Sequence, residues 1–154
     1  MPRIVDSIEV AAPPGRVYDF CTDCRNLPAL FPADVRVEVV RHPIPPLKTG
    51  DEIALRFHRG GLVYPWESVI TDLDAGRYFE DAQVRGPMRR WVSAHVFEPT
   101  AQGTRVRHII EYSFHMGPLG RLCGIMFVDR VLRHVFQHVH RATKDAIEVA
   151  WRRG

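Results

Sequence analysis

Two periodicities divide the chain. Apolar and polar positions alternate from residue 35 to residue 115, and from residue 117 onward apolar positions recur at helical spacing. The alternating part predicts six strands, at 35–41, 52–58, 62–72, 78–84, 91–97 and 104–114. Breakers separate them at 43–50, Gly60-Gly61, 74–76, Gly86-Pro87 and 99–103. An earlier strand at 3–12 sets Ile4, Ile8 and Val10 against Ser7 and Glu9, and Pro13-Pro14 ends it and opens a helix. In that helix Val17, Tyr18, Phe20 and Cys21 face inward, and Asn26-Leu27-Pro28 followed by Leu30-Phe31-Pro32 predicts a second short helix. Connections this short join antiparallel neighbours, so the six strands form a meander, and with the first strand the sheet has seven.

The segment 117–152 reads as one long amphipathic helix. Ile125, Val128, Leu132, Val135, Phe136, Val139, Thr143, Ala146, Ile147 and Ala150 share one side. Arg130, Arg133, His134, Gln137, His138, Arg141, Lys144, Asp145 and Glu148 cover the other, with His140 at the boundary, able to graze the sheet. Such a helix would be roughly 50 Å long, so a bend or break is expected near Gly120 and Gly124. One face of each strand should meet it, and the other, with Arg56, Arg105, Arg107 and Glu111, should see water.

Composition adds bounds. A chain of 154 residues, 45% apolar and 25% charged, suits one domain with one core, here residues 1–154. The amino terminus lacks an apolar signal region and no run is long enough to span a bilayer, so a cytoplasmic protein is expected. The net charge of +3 comes from arginines interleaved with acids, and no nucleic-acid partner is expected. Arg85, Arg89 and Arg90 read as a solvated loop, with transient membrane contact through a headgroup as the alternative. Oligomeric state is not readable.

Little of the sequence points to cofactor chemistry. Cys21 and Cys24 form a CxxC, but it follows a helix instead of opening one, and Cys123 is the only other thiol, so the cysteines read as structural. His134 and His138 have chelating spacing without the glutamate of a zincin, and both fall on the wet face. No nucleotide-binding glycine motif or serine-hydrolase elbow occurs. Neither a cofactor nor a metal is expected.

Several short motifs carry a likeness. They are Val17-Tyr18-Asp19-Phe20, Asn26-Leu27-Pro28 with Phe31-Pro32, Trp66-Glu67-Ser68 with Ile70-Thr71, and Phe79, Asp81 and Gln83 leading through Gly86-Pro87 to Trp91. His95, Phe97 and Pro99, Gly103-Thr104 with Val106, and the closing run from Phe136 to Ile147 complete it. With them the chain resembles, over essentially its whole length, the START-like or Bet v 1-like (SRPBCC) superfamily, in its polyketide cyclase/dehydrase and coenzyme-Q-binding-like branch. The resemblance implies an α+β helix-grip fold. A seven-stranded curved antiparallel sheet would wrap the carboxy-terminal helix, with two short helices after strand 1 and a cavity for lipids, quinones or polyketides.

Strand parity identifies the inward groups. If Phe97 faces the cavity, so do Trp91, Ser93 and His95; Phe79 brings Asp81 and Gln83, and Ile110 with Tyr112 brings His108. Leu55, Phe57 and Trp66 join them from the sheet, and Leu132, Val135, Phe136 and Val139 from the helix. The leading expectation is a binding or carrier protein for a hydrophobic small molecule. An alternative is a cyclase or dehydratase using Asp81, His95 or Tyr112 as general acid or base. A third is a toxin-like regulatory interaction module.

Overall fold

The computed structural model describes residues 2–115 and 117–154, apart from the side chains of Arg121, Cys123 and Ile125. The expected inward placement of Ile125 and the environment of the Cys123 thiol therefore lie outside the described residues. The chain runs β1 (Arg3–Val10), α1 (Pro14–Thr22), a 3-10 turn (Cys24–Ala29), β2 (Arg36–Arg41), β3 (Glu52–Arg59), β4 (Leu62–Asp74), β5 (Tyr78–Arg85), β6 (Arg90–Thr100), β7 (Gly103–Ser113) and α2 (Pro118–Arg153).

The strands form one antiparallel sheet in the order β1-β7-β6-β5-β4-β3-β2, so each hairpin neighbour in sequence is a neighbour in space and β1 closes against β7. Gly60 and Gly61 make the β3–β4 turn, both at positive φ (57° and 80°), which only a residue without Cβ adopts freely. The β6–β7 hairpin differs from the expected one. Pro99, expected to act as a breaker, lies inside β6, paired with Thr104. It is tolerated because β5 pairs with β6 only from Val92 to Val96, so no neighbour awaits the N–H that proline lacks.

Inward positions of β6 and β7 alternate: Trp91, Ser93 and Phe97, then Thr104, Val106, His108, Ile110 and Tyr112, are buried, with His95 half-buried between Ser93 and Phe97. Ion pairs cover the outer face, with Arg105 2.7 Å from Glu9, Arg107 3.3 Å from Glu98 and Arg56 3.5 Å from Glu38. Exposed pairs of this kind stabilise little, but they keep the outer face wet and define which face is core.

The helix α2 is one continuous run of 36 residues, with no break at Gly120 or Gly124. Its carboxy-terminal half is packed: Thr143 and Ile147 are buried, and the backbone there approaches β1 and α1. Ala146 and Ala150, expected inside, are exposed, whereas Lys144 and Glu148, expected in water, are half-buried. The cause lies on the edge strand. Lys144 Nζ donates to the Glu9 carbonyl at 2.6 Å, and Glu148 Oε1 accepts from the Ala11 N–H at 2.9 Å, so the helix turns polar groups toward backbone that no further strand pairs. Toward its amino end α2 stands clear, with Leu119, Leu122, Met126 and Phe127 exposed. Between these extremes Leu132, Val135, Phe136 and Val139 remain half-buried above the sheet.

Candidate functional site

Asp6 on β1 pairs directly with His108 on β7, and His108 pairs with His95 on β6. Directly opposed residues share a face, so three titratable side chains line up across three strands. Ser93, one inward step along β6 from His95, reaches His108 diagonally: its Oγ lies 2.8 Å from His108 Nε2. From above, α2 inserts His140, whose Nε2 lies 2.9 Å from His108 Nδ1 and whose Nδ1 lies 2.9 Å from Asp6 Oδ2. Ser93, His108, His140 and Asp6 thus form one unbroken chain of hydrogen bonds, from a buried hydroxyl to a carboxylate whose side chain is 38% exposed.

Burial, and then the neighbouring His95 and His140, hold the His108 imidazole well below its ordinary range, so it is neutral. His95 is held down to about 3, chiefly by burial. Its ring is sandwiched between Phe79, with centroids 4.5 Å apart, and His108, at 4.0 Å, and its Nδ1 is buried without a partner. Asp81 pairs with Ser93 across β5 and β6. Burial raises its carboxyl to about 7, against the hydrogen bond from Ser68, which favours the ionised form.

Other residues expected at the site have different employment. Gln83 donates to the Met88 carbonyl at 2.7 Å and clamps the β5–β6 turn, and a Cβ on Gly86 would collide with it. Tyr112 donates to Asp129 Oδ1 at 3.2 Å, and burial, then Asp129, pushes its hydroxyl up to about 12, so it stays protonated. His134 and His138 lie on the exposed side of α2. Burial pushes the Cys21 thiol to about 12 and the Cys24 thiol to about 11, so both stay protonated and poorly nucleophilic at neutral pH.

A belt of aromatic rings surrounds the polar chain. Phe31 meets Phe57, Phe57 meets Trp66, and Trp66 meets Trp91 edge-on with centroids 5.1 Å apart. Trp91 lies under Phe136 of α2, which is edge-on to His108 at 5.1 Å. Phe57, Trp66 and Phe136 are only half-buried, so the belt has open ring surface. A separate surface recess of about 220 Å³, lined by Tyr18, Asp19, Thr22, Pro43, Pro46 and Leu47, shares no residue with this belt. Leu55, Ile110 and Leu132 pack among the belt residues, and Val139 lies one turn from Val135 and Phe136 on α2.

Two members of the polar chain escape a reading of the sequence as a site. Asp6 is a charged residue in the apolar register of Ile4, Ile8 and Val10, which is itself a signal of a buried partner. His140 carries no local motif, and only the seating of α2 decides that it points at His108.

The family described as polyketide cyclase / dehydrase and lipid transport has a sequence model that matches residues 1–148. No curated protein matches the chain significantly. Among solved structures, a protein from Thermus thermophilus is similar with a TM-score of 0.77 at 21% identity, covering 97% of this chain and 99% of its own. The di-domain ARO/CYC StfQ of the steffimycin biosynthetic pathway is similar with a TM-score of 0.76 at 16% identity, covering 96% of this chain and 51% of its own. Ara h 8.0201 follows with a TM-score of 0.71 at 12% identity, covering 95% and 97%. At these identities the likeness shows the helix-grip fold and not an activity.

Proposed function

Since the chain belongs to the polyketide cyclase / dehydrase and lipid transport family, we propose that it binds a flat hydrophobic small molecule, quinone-like or polyketide-like, between the sheet and α2. The family supports hydrophobic ligand binding or polyketide cyclisation in general terms. The observation that carries the narrower reading is the belt from Phe57 through Trp66 and Trp91 to Phe136, in which the Phe57, Trp66 and Phe136 rings stay partly open beneath a helix whose amino end stands clear. Open aromatic faces favour flat, polarisable ligands, and Ser93 and Asp81 beside them supply a few orienting polar atoms. Native mass spectrometry of gently purified protein should show a bound aromatic or quinonoid molecule, or its uptake from a mixture. Binding of saturated lipids alone would refute the choice of ligand, and no uptake at all would refute binding.

A cyclase or dehydratase is the second reading, favoured by one observation: Asp81, raised to about 7, can hold or release a proton near neutral pH. It predicts that Asp81→Asn abolishes turnover of a polyketide-like substrate while leaving its binding intact. An interaction module finds less support, because the outer-face arginines Arg56, Arg105 and Arg107 are paired with acids.

A further inference from the structure

We propose that Ser93, His108, His140 and Asp6 form a proton relay that deprotonates a phenolic or enolic hydroxyl of the bound ligand and delivers the proton to His140 beside Asp6. The inference rests on the binding reading above and adds a ligand class, flat molecules with an acidic hydroxyl.

The direction of the chain follows from its one anionic end. The Asp6 carboxylate only accepts, so His140 Nδ1 donates to it, and in the neutral ring that the relay requires His140 Nε2 is a lone pair. His108 Nδ1 must then donate to His140, which leaves His108 Nε2 as the acceptor for the Ser93 hydroxyl. Each bond points toward Asp6, and Ser93 Oγ keeps lone pairs free for a ligand hydroxyl.

One concerted shift moves the proton. The ligand O–H bond breaks and its proton joins Ser93 Oγ, whose own proton passes to His108 Nε2. The His108 Nδ1 proton passes to His140 Nε2. The ligand becomes an oxyanion, His108 stays neutral in its other tautomer, and His140 becomes an imidazolium paired with Asp6 at 2.9 Å. His108 can therefore serve as a base in a buried place where a charge on its ring would be costly. Asp6 stabilises the distant imidazolium and so acts as a positioning residue.

The charges around the chain are few. His95 on β6 stacks on His108, and Asp81 on β5 faces Ser93. From α2, Arg133 lies within Coulombic reach of Asp6 but is held by Asp129 at 2.8 Å.

The test uses 2-hydroxyanthraquinone, whose visible absorption reports ionisation, beside anthraquinone, which has no acidic hydroxyl. Bound to the wild-type protein, the dye should ionise at least about one pH unit lower than when bound to Asp6→Asn or Ser93→Ala, a tenfold difference in the phenolate-to-phenol ratio at fixed pH. Anthraquinone should bind the wild-type and Asp6→Asn proteins equally. Superimposable titrations overturn the relay and leave the binding reading standing. An Asp6→Asn protein that loses anthraquinone as well shows that the chain serves packing, which also overturns it. Failure of wild-type protein to bind either compound overturns the binding reading and the relay together.

Discussion

His108 and His140 are 32 residues apart in sequence, and their ring nitrogens meet at 2.9 Å. Asp6 holds the other side of His140, so with a neutral His140 ring the donors run from His108 toward Asp6. Nitrogen-15 NMR at neutral pH should find the His108 ring neutral with its proton on Nδ1. A His108 ring protonated on Nε2 would mean that the chain of donors runs the other way.

Two neighbouring groups push the pH dependence of stability in opposite directions. His95 is held at about 3 against an ordinary 6.5. Below pH 6.5 the unfolded chain takes up a proton that the folded one refuses, so stability falls as pH drops toward 3. Asp81 is raised to about 7 from 3.8. Between those values the folded chain holds a proton that the unfolded one releases, so stability falls as pH rises. In Asp81→Asn only the histidine effect survives, and urea denaturation should show a steeper acid loss than wild type, by at most about 1.4 kcal/mol per pH unit. Parallel wild-type and variant curves would contradict the raised Asp81.

His95→Phe should be neutral or stabilising by about 1 kcal/mol. It keeps a ring between Phe79 and His108 and removes the buried Nδ1 that has no partner. A loss above about 2 kcal/mol on urea denaturation would show that the nitrogen has a bonding role.

Gly103→Ala should cost roughly 3 kcal/mol or prevent folding. Gly103 sits at φ 149°, and a Cβ there would collide with the Val10 carbonyl oxygen. The clash is with backbone of the paired strand, which no rotamer change relieves. Thermal unfolding within a degree or two of wild type would disprove it.

Trp66 and Trp91 lie in the aromatic belt, and Trp151 lies at the surface under Arg16. A bound anthraquinone should therefore quench most of the tryptophan emission. Trp66→Phe with Trp91→Phe should remove that quenching, and Trp151→Phe should leave it nearly intact. Quenching that follows Trp151 would place the ligand outside the belt.

The elements were legible because each depends on local order. Alternation placed seven strands, the Gly60-Gly61 turn and the inward parity of Trp91, Ser93, His95 and Phe97, since side chains on a strand must alternate. The long helix was legible from its 3.6 period, but its unbroken start was not, because glycine weakens a helix without dictating a break. Pro99 misled for a related reason: whether proline ends a strand depends on whether a neighbour needs its N–H, and that is decided by how far β5 extends.

By itself the sequence determined the order of elements, the faces of the strands and the residues available for a core, all consequences of backbone period and side-chain type. Only the tertiary structure decided how α2 is rotated over β1, and with it the exposure of Ala146 and Ala150, the pairing of Glu148 with Ala11, and the contact of His140 with both His108 and Asp6. A small rotation of that helix about its axis would preserve most of its apolar stripe and dissolve the polar chain. Hydrophobic burial is non-directional and tolerates such a shift, whereas hydrogen bonds at 2.9 Å between particular nitrogens and oxygens do not.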